Sequence, residues 1–261
     1  MIIKNKKQLK RYKEVCDIST EILKQIKDYI ATGKSTLDVD KYAEELCREY
    51  NVISAFQGVS VGNAPPYEHT TCISLNDTVV HGIPRENEKI NSGDVVKVDF
   101  GIVKDGFYTD HCFTVGVEPI SQEKKEFIIN SRDAILAGVE NTIAGNRIGD
   151  IGNAIESYVK EKNYSVAKEF VGHGIGKSLH EPPDVPAFGE RGSGDILKKG
   201  LVICIEAQII NGSEEVYTCK DNWTVKTKER ADACMFEYIV MADKREAKIL
   251  TNTLDWSLFV N

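Results

Sequence analysis

Residues 93–99 read Gly-Asp-Val-Val-Lys-Val-Asp and residues 200–206 read Gly-Leu-Val-Ile-Cys-Ile-Glu, the same glycine, apolar run and closing acid at an offset of 107. Further upstream, Gly33-x4-Asp38 matches Gly145-x4-Asp150 at an offset of 112. Before Gly33, Val15, Ile18, Ile22, Ile26 and Ile30 recur at steps of three or four, the pattern of a helix with one buried face. Its counterpart before Gly145 spans 123–143. After Gly33, Ser35 or Thr36 can cap a second helix carrying Val39, Tyr42, Leu46 and Tyr50. Asp150 to Val159 repeats that element. Each half therefore reads helix, helix, strand. The expectation is an α+β chain, a single domain over 1–261 built from related halves at about 8–118 and 121–250. It places Asp99 and Glu206 facing one another across a pseudo-two-fold axis.

A length of 261 residues, 41% hydrophobic, supports a substantial core. No run approaches the ~18 apolar residues of a membrane span, and Met-Ile-Ile-Lys-Asn-Lys-Lys lacks a signal-peptide core. Seven cysteines, odd in number and without a Cys-x-x-Cys, argue for reduced thiols and a cytoplasmic setting. The net charge of −7 gives no global reason to bind nucleic acid. Lys4, Lys6, Lys7, Lys10, Arg11 and Lys13 form a basic run. Its plain reading is a solvated helix start, and its rival a docking patch for an anionic surface such as RNA.

The acids at the strand ends carry the chemistry. Asp105-Gly106 is a two-residue hairpin signal, which pairs 104 with 107 and hence 101 with 110. Alternation then puts Asp99 and Asp110 on one face as diagonal neighbours, roughly 7–8 Å apart at the backbone. The surrounding Val95, Val96, Val98 and Phe100 suggest burial, and a buried acidic pair wants cations. Glu206 ends one apolar run, and Glu237 interrupts another, Cys234-Met-Phe-Glu-Tyr-Ile-Val-Met. Acids in core strands are rarely buried unless paired or metal-bound. His173 lies in Gly172-His-Gly-Ile-Gly-Lys-Ser-Leu-His180-Glu181, flanked by glycines that permit close approach. No other histidine stands at zinc-motif spacing, so its partners should be these carboxylates. Four carboxylates and an imidazole suit two divalent ions, Mn, Fe, Co or Zn, and hydrolytic chemistry.

These five positions, with Cys72-Ile-Ser-Leu-Asn-x4-His81-Gly-Ile-Pro, Gly172-His-Gly-Ile-Gly-x3-His180-Glu-x-Pro and Trp223-Thr-Val-Lys-Thr-Lys, resemble the type I methionine aminopeptidases of the pita-bread fold from about residue 8 to 250. The resemblance implies a central antiparallel sheet and removal of the initiator methionine from nascent chains with a small second residue. It implies that Asp99 chelates one ion, that Asp110 and Glu237 bridge, and that His173 and Glu206 complete the other. Glu206 would be the general base, His81 would contact the scissile nitrogen or its neighbour, and His180 would meet the carbonyl oxygen. Cys72, Tyr67 and Trp223 would line the methionine pocket. Transient ribosome contact through the basic run and a monomeric state also follow as expectations, with no membrane partner and no sequence-specific nucleic-acid binding.

The chain departs from the family pattern beside the ligand positions. Ala207-Gln208 stand for Pro-Met after Glu206. Cys234-Met235-Phe236 stand for Ala-Gln-aromatic before Glu237, and Tyr238 for the following His. Leu179 replaces a frequent aromatic, and His111-Cys112 replace small residues. Val98-Asp-Phe-Gly is a kinase-like triplet without the companion motifs of a kinase, and Gly172-His-Gly-Ile-Gly is not a dinucleotide fingerprint. The alternatives are a pita-bread aminopeptidase of altered specificity or a non-catalytic ribosome- or RNA-binding paralogue. A proline-specific enzyme is disfavoured by the absence of the extra N-terminal domain. A binding paralogue is disfavoured by the complete ligand set.

Overall fold

The computed structural model describes residues 1–62 and 64–261; the loop expected at 58–66 is covered except for Asn63, which lies outside the described residues. Helices α1 (Lys6–Tyr29) and α2 (Thr36–Glu49) precede strands β1 (Thr71–Leu75), β2 (Thr78–Val80), β3 (Val95–Phe100) and β4 (His111–Val117). Helices α3 (Gln122–Glu140) and α4 (Ile148–Glu161) then precede β5 (Gly172–Gly174), β6 (Glu181–Val185), β7 (Val202–Ile210), β8 (Val225–Thr227) and β9 (Ala233–Met241).

The internal repeat is visible bond by bond. Gly33 N–H donates to Ile90 O at 2.8 Å and Gly145 N–H to Leu197 O at 2.9 Å. Gly93 N–H reaches Val117 O and Gly200 N–H reaches Ala242 O, both at 2.8 Å. Gly93 and Gly200 hold φ of +87° and +83°, a left-handed conformation that a side chain would strain. The second helix of each half starts with an aspartate three residues in. Asp38 accepts from Ser35 N–H at 2.8 Å and Asp150 from Arg147 N–H at 2.7 Å. Of the two caps open in the sequence, Ser35 is the one used.

In the first half β1 pairs with β3 and β3 with β4, antiparallel; in the second, β5 pairs with β7 and β7 with β9. Alternation along β3 sorts its side chains. Val98 and Phe100 join the core under the helices, and the Phe100 ring lies beside His111, whose Nε2 is 2.9 Å from Ser19 Oγ on α1. Lys97 and Asp99 point the other way. The same parity on β7 and β9 sends Ile205 and Phe236 into the core and Glu206, Gln208, Met235 and Glu237 to the inner face. One apolar cluster runs through both halves, from Tyr12 to Leu258.

Polar sutures join the inner faces. Thr114 Oγ1 donates to Met235 O at 2.5 Å, and buried Lys97 donates to Asn76 O and Ala233 O at 2.9 and 2.7 Å. Burial lowers the Lys97 pKa to about 8, and the two carbonyls satisfy its ammonium. No described helix is long and apolar enough to cross a membrane.

Two expected boundaries move. The helix expected over 123–143 stops at Glu140, because side chains consume its last carbonyls: Asn141 Nδ2 bonds Ala137 O and Thr142 Oγ1 bonds Gly138 O. The continuous strands expected at 94–103 and 107–115 each break in two. At Gly101 the backbone of Thr109 comes too close to admit any Cβ, and the Thr109 hydroxyl takes the Ile102 N–H at 2.9 Å. The register nonetheless survives the break. Lys104 faces Phe107 on one side of it and Phe100 faces His111 on the other. Asp110 sits in the opening.

Candidate active site

His173 is held by backbone packed against both its neighbours. β5 lies between β6 and β7, and a Cβ on Gly172 would strike Cys204 O, while one on Gly174 would strike Pro182 O. Glycine is required here for strand proximity. The imidazole Nδ1 lies 3.0 Å from Gly174 O and donates to it, which turns Nε2 toward the acids. Nε2 is 3.6 Å from Asp110 Oδ2, 3.9 Å from Glu206 Oε1 and 4.0 Å from Glu237 Oε1.

On the far side, Asp99, Asp110 and Glu237 place one oxygen each within 4.8 Å of one another. Asp110 and Glu237 thus belong to both groups, Asp99 to one, His173 and Glu206 to the other. Glu206 and Glu237 are direct cross-strand partners, whereas Asp99 faces Cys112 and meets Asp110 on the diagonal. The pseudo-symmetry therefore holds for Asp99 and Glu206 but fails for the second acid of each pair. Glu237 occupies the register position of Cys112.

Asp99 Oδ1, Asp110 Oδ1 and Glu237 Oε1 are buried with no hydrogen-bond partner among the described residues. Among the described residues, His173 is the only basic side chain within 4.0 Å of these carboxylates. Burial first, then mutual repulsion, raises the Asp99 and Glu237 pKa values well above the ordinary range. Burial lifts Asp110 to about 7 and Glu206 to about 8. Such a cluster is stable in ionised form only with cations among its oxygens. The donor set fits divalent ions: hard oxygens, one imidazole, and oxygens without donors.

The acids close the floor of a cavity of about 360 Å³. Its wall holds the five substrate-contacting residues that the resemblance implies, Tyr67, Cys72, His81, His180 and Trp223. Tyr67, Cys72 and Trp223 form one apolar cluster with Phe56 and Leu179. The Tyr67 hydroxyl donates to Thr71 O at 2.9 Å, and Trp223 Nε1 donates to Pro65 O at 2.9 Å. Cys72 lies directly across from Asp99. His81, at φ +55°, stands edge-on to the rings of Phe170 and Trp223 at 5.6 and 6.0 Å. Left-handed φ on a residue with a Cβ is strain of the sort functional sites hold. The next residue explains how it is held: Gly82 packs too close to Ile73 O for any side chain. His180 stacks edge-on to His173 at 4.4 Å. Burial lowers both His81 and His180 to about 4, so both are neutral at pH 7.

Sequence reasoning missed some of the wall. Phe56, Val59 and Phe170 line the cavity, and strands β2 and β8 were not anticipated. Their pairing, Val225 against Val80, brings the Trp223 segment to His81. The Val-Val before His81 and the Val-Lys-Thr after Trp223 were the available signal, too short to assign by periodicity.

Residues 10–242 match metallopeptidase family M24. The chain belongs to that family. The M24 relatives include the methionine aminopeptidase of Clostridium acetobutylicum, 34% identical over 251 residues, which cover 96% of this chain and 98% of the relative. Methionine aminopeptidase 1 of Bacillus subtilis is 32% identical, with 96% and 99% covered. The crystal structure of Thermotoga maritima methionine aminopeptidase superposes with a TM-score of 0.91 at 31% identity, covering 97% of this chain and 100% of that one. Prolidase from Pyrococcus furiosus shares the fold alone, with a TM-score of 0.74 at 22% identity, and this chain covers 66% of its length. The pita-bread architecture of M24 is thus the fold of this chain.

Proposed function

We propose that this chain is a methionine aminopeptidase in which Asp99, Asp110, His173, Glu206 and Glu237 hold two divalent ions, drawn from Co, Mn, Fe and Zn. The observation that carries the reading is the convergence of these five side chains, with three donorless oxygens, on the floor of an apolar-walled cavity. Bound divalent ions would lower the pKa of water and polarise a carbonyl. The side chains do the rest. Glu206 takes the proton of the attacking water as general base. Neutral His180, beside His173, donates to the scissile carbonyl oxygen as charge develops. His81 meets the scissile nitrogen or its neighbour. Tyr67, Cys72 and Trp223 surround the methionine side chain, where an apolar, polarisable wall suits a thioether.

The test is methionine release from Met-Ala-x and Met-Lys-x peptides by metal-stripped protein titrated with Mn, Fe, Co or Zn. Cleavage of the first peptide alone, with metal, is expected. No cleavage with any ion by correctly folded protein would sink the reading.

The chain is proposed to act as a single catalytic domain, a monomer in the cytoplasm, on the N-termini of nascent polypeptides; a sedimentation mass of 29.1 kDa checks the monomer. Transient ribosome contact through the basic start of α1 is part of the proposal. Lys4, Lys6, Lys7, Lys10 and Arg11 are free of carboxylate partners among the described residues, whereas Lys13 pairs with Asp17 at 2.6 Å. Neutralising Lys6, Lys7, Lys10 and Arg11 together is expected to abolish co-sedimentation with ribosomes at low salt. Unchanged co-sedimentation would refute the contact.

A further inference from the structure

In the motifs this chain resembles, a methionine stands two residues after the first strand glutamate and a glutamine two residues before the second. Here the two are reversed: Gln208 follows Glu206 and Met235 precedes Glu237. The register makes this one change rather than two. Gln208 and Met235 are direct cross-strand partners, adjacent on the same face to the directly paired Glu206 and Glu237. Their side chains touch, with Gln208 Nε2 3.8 Å from Met235 Sδ, and both are buried in the cavity wall.

Glutamine and methionine side chains are close in length and volume, so exchanging them across a strand pair conserves the packing. What moves is the amide, from the strand of Glu237 to the strand of Glu206. Its Nε2 donates to Glu206 Oε2 at 2.5 Å. That leaves Oε1 as the Glu206 oxygen turned to His173 Nε2, 3.9 Å away. The other end of the amide gains nothing: Gln208 Oε1 is buried without a partner among the described residues. Burying a donorless oxygen is unfavourable, and a methionine at 208 would avoid it. The amide is therefore poorly accounted for by packing: beside a long contact to the Met235 sulfur, its short bond goes to the carboxylate assigned as base.

We infer that Gln208 is a positioning residue for Glu206, and that Met235 is the compensating half of an exchange which moved the amide donor between strands. By tying down Oε2, Gln208 presents Oε1 in one orientation to His173 and to an ion held there. Partners of this kind, bonded to a metal ligand rather than to the metal, set ligand orientation. The inference rests on the proposed metal centre, so its test reads metal affinity beside turnover.

The experiment compares Q208M, Q208N and the double variant Q208M/M235Q in the full chain, by calorimetric titration with Mn(II) and by steady-state release of methionine from Met-Ala-x. Q208M is expected to weaken Mn(II) binding about 10–100-fold, and to lower kcat with little change in KM. Q208N keeps the polarity but loses the reach, and should lose as much. The double variant should return both quantities to within about threefold of the parent, since the facing strand then supplies the amide on the diagonal. Mn(II) affinity unchanged in both single variants, or a double variant no better than Q208M, overturns the inference. Should the parent fail to release methionine while Q208M still weakens Mn(II) binding, the positioning role stands and the peptidase reading falls.

Discussion

Glu206→Gln will lower kcat for methionine release by about 10²–10⁴-fold, the range in which a general base contributes, and the protein will remain folded. Both parts follow from the geometry. A glutamine fits the site of Glu206 and can turn its carbonyl toward the Gln208 amide, which now donates at 2.5 Å. Its own amide would then point at Nε2 of His173, 3.9 Å from the present Oε1. Packing is preserved, and one charge leaves a cluster in which burial and neighbouring acids oppose ionisation. The metal-free variant should therefore melt no lower than the parent, and increasingly higher as pH rises from about 4 to about 8. What is lost is the group able to take a proton at that atom. Circular dichroism melts and single-turnover assays at saturating metal separate the two effects. A variant with the parent's turnover would rule out Glu206 as base, and one that is simply unfolded would rule out the packing argument.

Chelation will abolish activity, and it will also change how stability depends on pH. In an unfolded chain the four carboxyls titrate near pH 4. In the folded, metal-free chain burial pushes Asp110 up to about 7 and Glu206 up to about 8, and burial with neighbouring acids holds Asp99 and Glu237 well above the ordinary carboxylate range. Between about pH 4 and pH 8 the folded state thus holds more protons than the unfolded one, and stability falls as pH rises through that window. Divalent ions reverse the trend, because they compete with those same protons and bind more tightly as pH rises. At an ion concentration a hundredfold above the dissociation constant the gain is about 2.7 kcal/mol, which for a chain of this size raises Tm by about 5–10 °C. Thermal melts at pH 5.5 and pH 8, with EDTA or Mn(II), check this. A metal-free Tm that climbs between those pH values, or an Mn(II) increment larger at pH 5.5, would contradict the cation-dependent cluster.

Much of this was legible in the residues because it is local or periodic. The strand hairpin around Asp105-Gly106 has one comfortable register, so Asp99 and Asp110 had to share a face even though the ladder opens at Gly101. The doubled glycine–aspartate helix starts and the doubled glycine-to-acid strands announced two related halves, and the same backbone bonds recur in both. Acids embedded in apolar runs announced a buried charged site, since nothing but pairing or cations makes such burial tolerable.

Contacts between distant segments could not be read this way. Sequence periodicity carries no information on which strand of one half meets which strand of the other. Only the fold shows Lys97 bonded to Ala233, Thr114 to Met235, and Val80 paired with Val225 so that Trp223 reaches His81. The departures at 208 and 235 were likewise two unrelated oddities on paper. Tertiary structure made them one pair, because antiparallel register places residues 27 apart in the chain side by side on a single face. The helices, the doubled halves and the identities of the acids are written in the residues; the short strands β2 and β8 and the break at Gly101 are not. Long-range pairing, set by the packing of the two inner faces, decided which oxygens face His173 and which side chains hold them there.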